Sequence, residues 1–155
     1  MIWACPICRQ PLFEREGGVA CAANHQFDRA KQGYLPLLPA HHRRSASPGD
    51  DKAMLEGRRR FLQAGFYQPL ADLLAEEVVQ LAGALNPLTL LDSGCGEGYY
   101  LGKIIAEAQS SETGMQPYGF DISKDAAKLS AKSVPEASIA VASSFQLPIV
   151  DLSVD

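Results

Sequence analysis

The sequence predicts an α/β protein: a small turn-rich N-terminal module, a helical linker, and a βαβαβ unit built on a parallel sheet. Three observations carry this. Residues 1–40 lack helical periodicity and hold two close pairs of cysteine and histidine. Residues 41–86 contain two segments with apolar residues at helical spacing, and residues 87–155 alternate short apolar runs with amphipathic ones. The organisation read from these shifts is 1–40, 41–86 and 87–155.

In the first segment, Cys5-Pro6-Ile7-Cys8, Gly17-Gly18 and Asn24-His25 mark turns between short strands. Trp3, Phe13, Phe27 and Tyr34 read as packing around those turns. So short a segment needs a staple to stay folded. The stretch from His41 to Asp51 reads as an exposed linker with a basic start, and Asp50 or Asp51 can cap the helix that follows. That helix is expected over about 51–63, with Met54, Leu55, Phe61 and Leu62 on one side and Gly65 as its stop. A second, over about 67–82, sets Leu70, Leu73, Leu74, Val78 and Leu81 on one face. Asn86-Pro87 breaks the chain. Strands then follow at Leu88-Thr89-Leu90-Leu91-Asp92, Tyr118-Gly119-Phe120-Asp121 and Ser138-Ile139-Ala140-Val141-Ala142. Helices over about 98–109 and about 124–132 separate them, the latter capped by Ser123.

Composition narrows the class. With 155 residues, 46% hydrophobic and 21% charged, the chain is ordinary for a globular protein. It has no run near the roughly 20 apolar residues that span a membrane. The N-terminus has neither the basic nor the apolar region of a signal peptide, so the reading is cytoplasmic, where spaced cysteines serve metals more than disulfides. Charge is uneven. Residues 1–60 carry ten Lys/Arg against six Asp/Glu, leaving +4; residues 61–155 carry four against twelve, leaving −8. A basic front on an acidic body suits contact with phosphates.

Cys5 and Cys8 flank two residues; twelve residues later comes Cys21, and three more lead to His25. Two turn-borne pairs at this spacing predict a closed tetrahedral zinc site of Cys5, Cys8, Cys21 and His25. Four protein ligands leave no position for a reacting water, so the zinc is structural and its binding free energy becomes folding free energy.

The run Leu91-Asp92-Ser93-Gly94-Cys95-Gly96-Glu97-Gly98 ends a strand and opens a helix. Glycines there let the backbone approach a ligand, and the helix start offers unpaired N–H groups. The G-x-G-x-G spacing places Tyr99 where a dinucleotide fingerprint wants its third glycine, and no Gly-Lys-Ser/Thr follows, which argues against a P-loop. Asp121 ends the next strand, where a carboxylate can accept two ribose hydroxyls. Cys95 reads as a packing residue, since no partner base is evident.

Together these features resemble the class I S-adenosylmethionine-dependent methyltransferases, and the third segment then resembles the first half of their Rossmann-like domain. The resemblance implies a cofactor set of Asp92, Gly94, Gly96, Gly98, Tyr99, Asp121, Ser143 and Ser144. Asp92 would support the turn and the methionine amine, Asp121 the ribose, and the segment from Ala142 to Pro148 the adenine. Many relatives carry an acid where Ser143 stands. Combined with the Cys3His module, the chain is similar to the bacterial 23S ribosomal RNA (guanine-N1-)-methyltransferases along essentially its whole length. The shared motifs include Cys5-Pro6-x-Cys8, His25-x-Phe27-Asp28, Lys31-x-Gly33-Tyr34, Pro48-Gly49-Asp50, Arg58-Arg59-x-Phe61-Leu62 and Asp92-x-Gly94-Cys95-Gly96-Glu97-Gly98-Tyr99-Tyr100. That resemblance implies methylation of guanine N1 in an rRNA hairpin and a homodimer whose zinc modules help form an RNA cleft. Lys31, Arg43, Arg44, Arg58 and Arg59 are the phosphate-contact candidates.

In this fold class Asp155 would open a fourth strand beside the first, so the reading expects an N-terminal fragment with an open edge at strand one, its base-positioning and catalytic residues lying past Asp155. Two alternatives stay open. The zinc and basic residues can bind nucleic acid with the sheet as mere scaffold, or the methyl acceptor can be something other than RNA.

Overall fold

The computed structural model describes residues 1–40, 48–85 and 87–155. Strands β1 (Leu12–Arg15), β2 (Gly18–Cys21) and β3 (Gln26–Asp28) form an antiparallel sheet in the order β1-β2-β3. Gly18 has to be glycine: a Cβ there would lie 2.2 Å from the Phe27 carbonyl oxygen, so β2 and β3 meet only without a side chain.

The chain then enters a second sheet. The two-residue strand β4 (Leu35–Pro36) pairs in parallel with β7 (Ser138–Val141), giving the order β4-β7-β6-β5 with β5 (Leu88–Ser93) and β6 (Met115–Asp121). Pro36 cannot donate to a ladder and sits in the edge strand, where no donor is missed. At the opposite edge, the Thr89 carbonyl of β5 accepts from the Asp155 amide at 3.1 Å, and the Thr89 amide donates to the Asp155 carboxylate at 2.8 Å.

Helix α1 (Lys52–Gln63) starts at Asp51, whose carboxylate accepts from the Met54 amide at 2.9 Å. Helix α2 (Gln68–Leu81) runs into a 3-10 turn at Ala82–Ala84, and α3 (Tyr99–Ser110) and α4 (Lys124–Ser133) complete the crossovers. Ser123 caps α4 as its sequence position predicts, its Oγ accepting from the Ala126 amide.

The helical faces differ from expectation. Helix α2 buries Ala71, Ala75 and Val79, while Leu70, Leu73, Leu74 and Leu81 are exposed. In α1, Leu55 and Leu62 are buried but Met54 and Phe61 are exposed. Leucine spacing finds a stripe without saying which side the neighbour takes. Here the small-residue stripe lets α2 approach α3, and Lys103 ties across to Asp72 at 2.9 Å. Phe61 instead stacks on Phe66, ring centroids 5.4 Å apart. Phe13 also departs from its expected packing role: alternation along β1 turns Leu12 inward and Phe13 to water.

A parallel sheet needs both faces covered, and this one has two unlike covers. On one face Ile139 and Val141 of β7 pack with Leu101 and Ile105 of α3, Ala127 of α4, and Tyr34. On the other, Tyr118, Phe120, Ala140 and Ala142 pack with Ile2, Trp3, Cys5, Leu12, Val19 and Cys21. The N-terminal module is therefore the second layer. Trp3 is fully buried, meets Tyr118 edge-on at 5.7 Å and donates its indole N–H to Ser138 Oγ at 2.8 Å.

Truncating Trp3 to alanine removes a core aromatic shared by both sheets and should cost about 3–5 kcal/mol. Urea unfolding followed by far-UV circular dichroism measures this. A loss of less than about 1 kcal/mol would mean that the two sheets do not share a core.

Candidate functional site

The metal centre is made by two turns. In the first, the Arg9 amide donates to the Cys5 carbonyl at 2.9 Å, and Arg9 itself adopts a left-handed φ of 63°. In the second, the Asn24 amide donates to the Cys21 carbonyl at 2.9 Å, again with φ at 63°. These turns curl the backbone so that Cys5, Cys8, Cys21 and His25 present ligand atoms all within 4.8 Å of one another. A tetrahedral zinc ion requires ligand separations of about 3.8 Å between sulfurs and about 3.5 Å from sulfur to nitrogen. The Cys8–Cys21 sulfurs are 3.6 Å apart, and His25 Nδ1 lies 3.5 Å from Cys5 Sγ and 3.4 Å from Cys21 Sγ. The ligand set fits zinc. Burial alone would raise the Cys21 thiol, but the His25 backbone amide and the neighbouring Cys8 sulfur outweigh it and bring the thiol down to about 7.

Cys95 is elsewhere and chemically different. Burial first, then the charges of Asp92 and Asp121, push its thiol up to about 12 despite a contact with Ser130. It stays a protonated packing residue at neutral pH.

The glycine turn lies at the carboxyl end of β5. Gly94, Gly96 and Gly98 have φ of 82°, 56° and 84°. Open space adjoins Gly94 and Gly96, so their requirement is conformational. Gly98 is also confined, since a Cβ would meet Ser130 Oγ at 2.8 Å. The Gly94 and Cys95 amides donate to the Phe120 carbonyl at 2.9 and 3.0 Å, fastening the turn to β6. Asp121 accepts from the Gly96 amide at 3.0 Å and from the Ser123 amide at 2.7 Å, which fixes its carboxylate beside the turn. Burial, and then the charge of Asp121, raise the Asp92 carboxyl above its usual range.

Ser143 and Ser144 follow β7 at the same end of the sheet, so the predicted cofactor residues converge at the carboxyl ends of three adjacent parallel strands. Ser143 is buried, and its Oγ accepts from the Phe145 amide at 3.3 Å. Tyr99 opens α3 and meets Tyr100 edge-on at 5.2 Å.

The basic candidates divide. Arg58 pairs with Asp50 at 2.7 Å and Arg59 with Glu97 at 3.5 Å, so both point to acids of the fold. Lys31 is exposed, and Arg43 and Arg44 lie outside the described residues. Two residues with roles here carried no expectation from sequence. Glu97 receives Arg59 from inside the glycine turn, and Arg9 bonds to carbonyls about 140 positions away. A charged residue within a glycine turn was a usable signal for the first. The second had none.

Comparison with known proteins agrees with both halves. Residues 3–46 match the zinc-ribbon family model described as RlmA, N-terminal. A Streptomyces fradiae 23S rRNA (guanine(748)-N(1))-methyltransferase is 34% identical over 148 residues, covering 95% of this chain and 50% of that protein. A Bacillus subtilis (strain 168) relative, described as a candidate 23S rRNA (guanine-N(1)-)-methyltransferase, is 27% identical over 157 residues, 99% of this chain and 54% of its own. The chain thus spans about half the length of the curated relatives it matches. Among solved structures, a Methanococcus maripaludis protein described as a candidate S-adenosyl-L-methionine-dependent methyltransferase superposes with a TM-score of 0.53 at 18% identity. It covers 72% of this chain and 52% of that one, a likeness of fold.

Two outcomes follow. The protein should bind one zinc, and chelation should release amide-exchange protection first in β1 to β3, because the ligands are that sheet's staple. Unchanged exchange there would contradict a structural metal. Asp92 holds its proton to higher pH folded than unfolded, so its ionisation favours the unfolded chain. Stability therefore falls as pH rises from the ordinary value of 3.8 through the raised one. Asp92→Asn should stabilise by an amount that grows with pH across that range, read as the difference in urea midpoint between variant and parent. A pH-independent difference would refute the burial argument.

Proposed function

We propose, from the premise that residues 3–46 are a zinc ribbon of the RlmA N-terminal family, that this chain serves S-adenosylmethionine-dependent methylation of guanine N1 in a hairpin of 23S rRNA. The observation that carries the reading is the presence in one chain of this ribbon, packed on one face of the parallel sheet, and a methyltransferase-type glycine turn at that sheet's carboxyl edge.

S-adenosylmethionine supplies a methyl group made electrophilic by its sulfonium. The residues here bind and orient. Asp121, fixed by two backbone amides, keeps free acceptor positions for ribose hydroxyls. The open side of Gly94 and Gly96 admits the methionine end, with Asp92 beside it for the amine. Ser143 and Ser144 stand at the adenine end. Guanine N1 lies on the pairing edge of its base, so the acceptor has to be unpaired or flipped, which a hairpin loop allows. Lys31, Arg43 and Arg44 are proposed phosphate contacts. Arg58 and Arg59 instead brace the site through Asp50 and Glu97. A homodimer and a cytoplasmic location belong to the same reading. Among the described residues no helix is long and apolar enough to cross a membrane.

Calorimetry with S-adenosylhomocysteine should show binding of one molecule per chain. Asp121→Ala should weaken it by about ten- to a hundredfold, the scale of a lost hydrogen bond to a charged group. Labelled methyl transfer to an rRNA hairpin transcript, by the protein carrying this chain, should appear as 1-methylguanosine after digestion. Label on another acceptor, with none in RNA, would sink the rRNA assignment while leaving the cofactor site intact.

A further inference from the structure

The segment that follows β7 is held from both ends by the zinc ribbon. On its near side, β7 is paired by β4. On its far side, residues 148–150 run antiparallel to the chain start: the Ala4 amide donates to the Pro148 carbonyl at 2.7 Å, and the Val150 amide to the Ile2 carbonyl at 2.8 Å. Trp3 and Ile149 form a bridge between these hydrogen bonds. What lies between is the loop 143–147, inside the segment from Ala142 to Pro148 assigned above to the adenine.

Arg9 closes this arrangement. It follows the ligand Cys8, and its own amide is part of the knuckle through the Cys5 carbonyl. Its guanidinium donates to the Leu147 carbonyl, and a second nitrogen reaches the Ile149 carbonyl at 3.4 Å. One planar cation thus bridges alternate carbonyls on either side of Pro148, with a geometry an ammonium cannot reproduce. The left-handed φ of 63° is one that L residues rarely adopt. The knuckle imposes it, and it aims the side chain at the loop. Pro6 and Arg9 also face Ser144, Phe145, Gln146 and Leu147 across a cleft of about 440 Å³, so metal knuckle and loop form opposing walls of one recess.

We propose that Arg9 is a positioning residue for the cofactor site, clamping the far end of the loop 143–147 from the zinc knuckle through the Leu147 and Ile149 carbonyls. The inference rests on the reading of loop 143–147 as the adenine contact. It gives the zinc a second role besides folding the ribbon: the metal fixes Cys5 and Cys8, these fix Arg9, and Arg9 fixes two carbonyls of the loop.

The test compares the parent with Arg9→Gly and Arg9→Lys, each with zinc content, S-adenosylhomocysteine affinity and thermal midpoint measured. Glycine accepts the left-handed backbone without strain, so it removes the guanidinium and spares the knuckle. The expected result is full zinc in all three and little change in midpoint. Affinity should fall about three- to tenfold in Arg9→Gly, the scale of exposed charge-assisted bonds, with Arg9→Lys intermediate. The Ala4 and Val150 amides should also exchange faster in Arg9→Gly. A merely structural role would lower the midpoint and leave the affinity of the folded protein unmoved. Parental affinity in a zinc-replete Arg9→Gly chain overturns the proposal. If that variant loses zinc, Arg9→Lys decides alone: intermediate affinity at full zinc supports the clamp, and parental affinity overturns it. Absence of binding in the zinc-loaded parent is a different result, since it removes the cofactor site itself.

Discussion

A parallel sheet with a wet face is not stable, and here one face is covered by a ribbon too short to fold without help. The four ligands of the metal centre resolve that difficulty. By closing two knuckles they hold β1 to β3 together, and with them Ile2, Trp3, Leu12 and Val19, the side chains that pack on Tyr118, Phe120, Ala140 and Ala142. The chemistry of a small metal site thus propagates into an α/β sheet. Crossover helices usually cover both faces of such a sheet, whereas α3 and α4 here cover the one containing Ile139 and Val141. On the other face Ala140 of β7 and Ala142 just after it leave room for the ribbon to approach.

Local features were legible in the sequence because their causes are local. The cysteine spacing marked the metal site, the Asp50-Asp51 pair and Ser123 marked two helix starts, with Asp51 the acid that caps, and Asp92 with the glycines marked the turn at the end of β5. What escaped was set by distant partners. Nothing in Leu35-Pro36 says that this dipeptide joins β7 a hundred residues on, because two residues carry no period. The leucines of α2 satisfy a helical stripe as well as its alanines do, and only the approach of α3 decides between them. Arg58 and Arg59 look like any basic pair until Asp50 and Glu97 are folded against them.

Part of the positive charge in the first sixty residues neutralises acids of the fold. Arg59 is half exposed and so contributes little to stability by itself. Its position matters more, because Glu97 belongs to the glycine turn, and Arg58 and Arg59 oppose the burial that raises its carboxyl. Helix α1 therefore reaches the cofactor turn through its cations, while Asp50 also offers its carbonyl to the Ser123 hydroxyl at the start of α4. Net charge gives the sum, and the structure divides it between internal pairing and surface.

The same division explains why the turn costs stability. Burial and then the charge of Asp121 raise the Asp92 carboxyl, so its ionisation opposes folding. Asp121, at the end of the next strand, accepts from two backbone amides. One acid is thus hydrogen-bonded by the fold, and the other pairs with no cation among the described residues. A ligand's ammonium beside Asp92 would oppose both causes and draw its carboxyl back toward the ionised form. The zinc ribbon stands on the other side of this balance. It shares a core with the sheet whose strand ends hold the two acids, so local unfolding that relieved Asp92 would have to break that core.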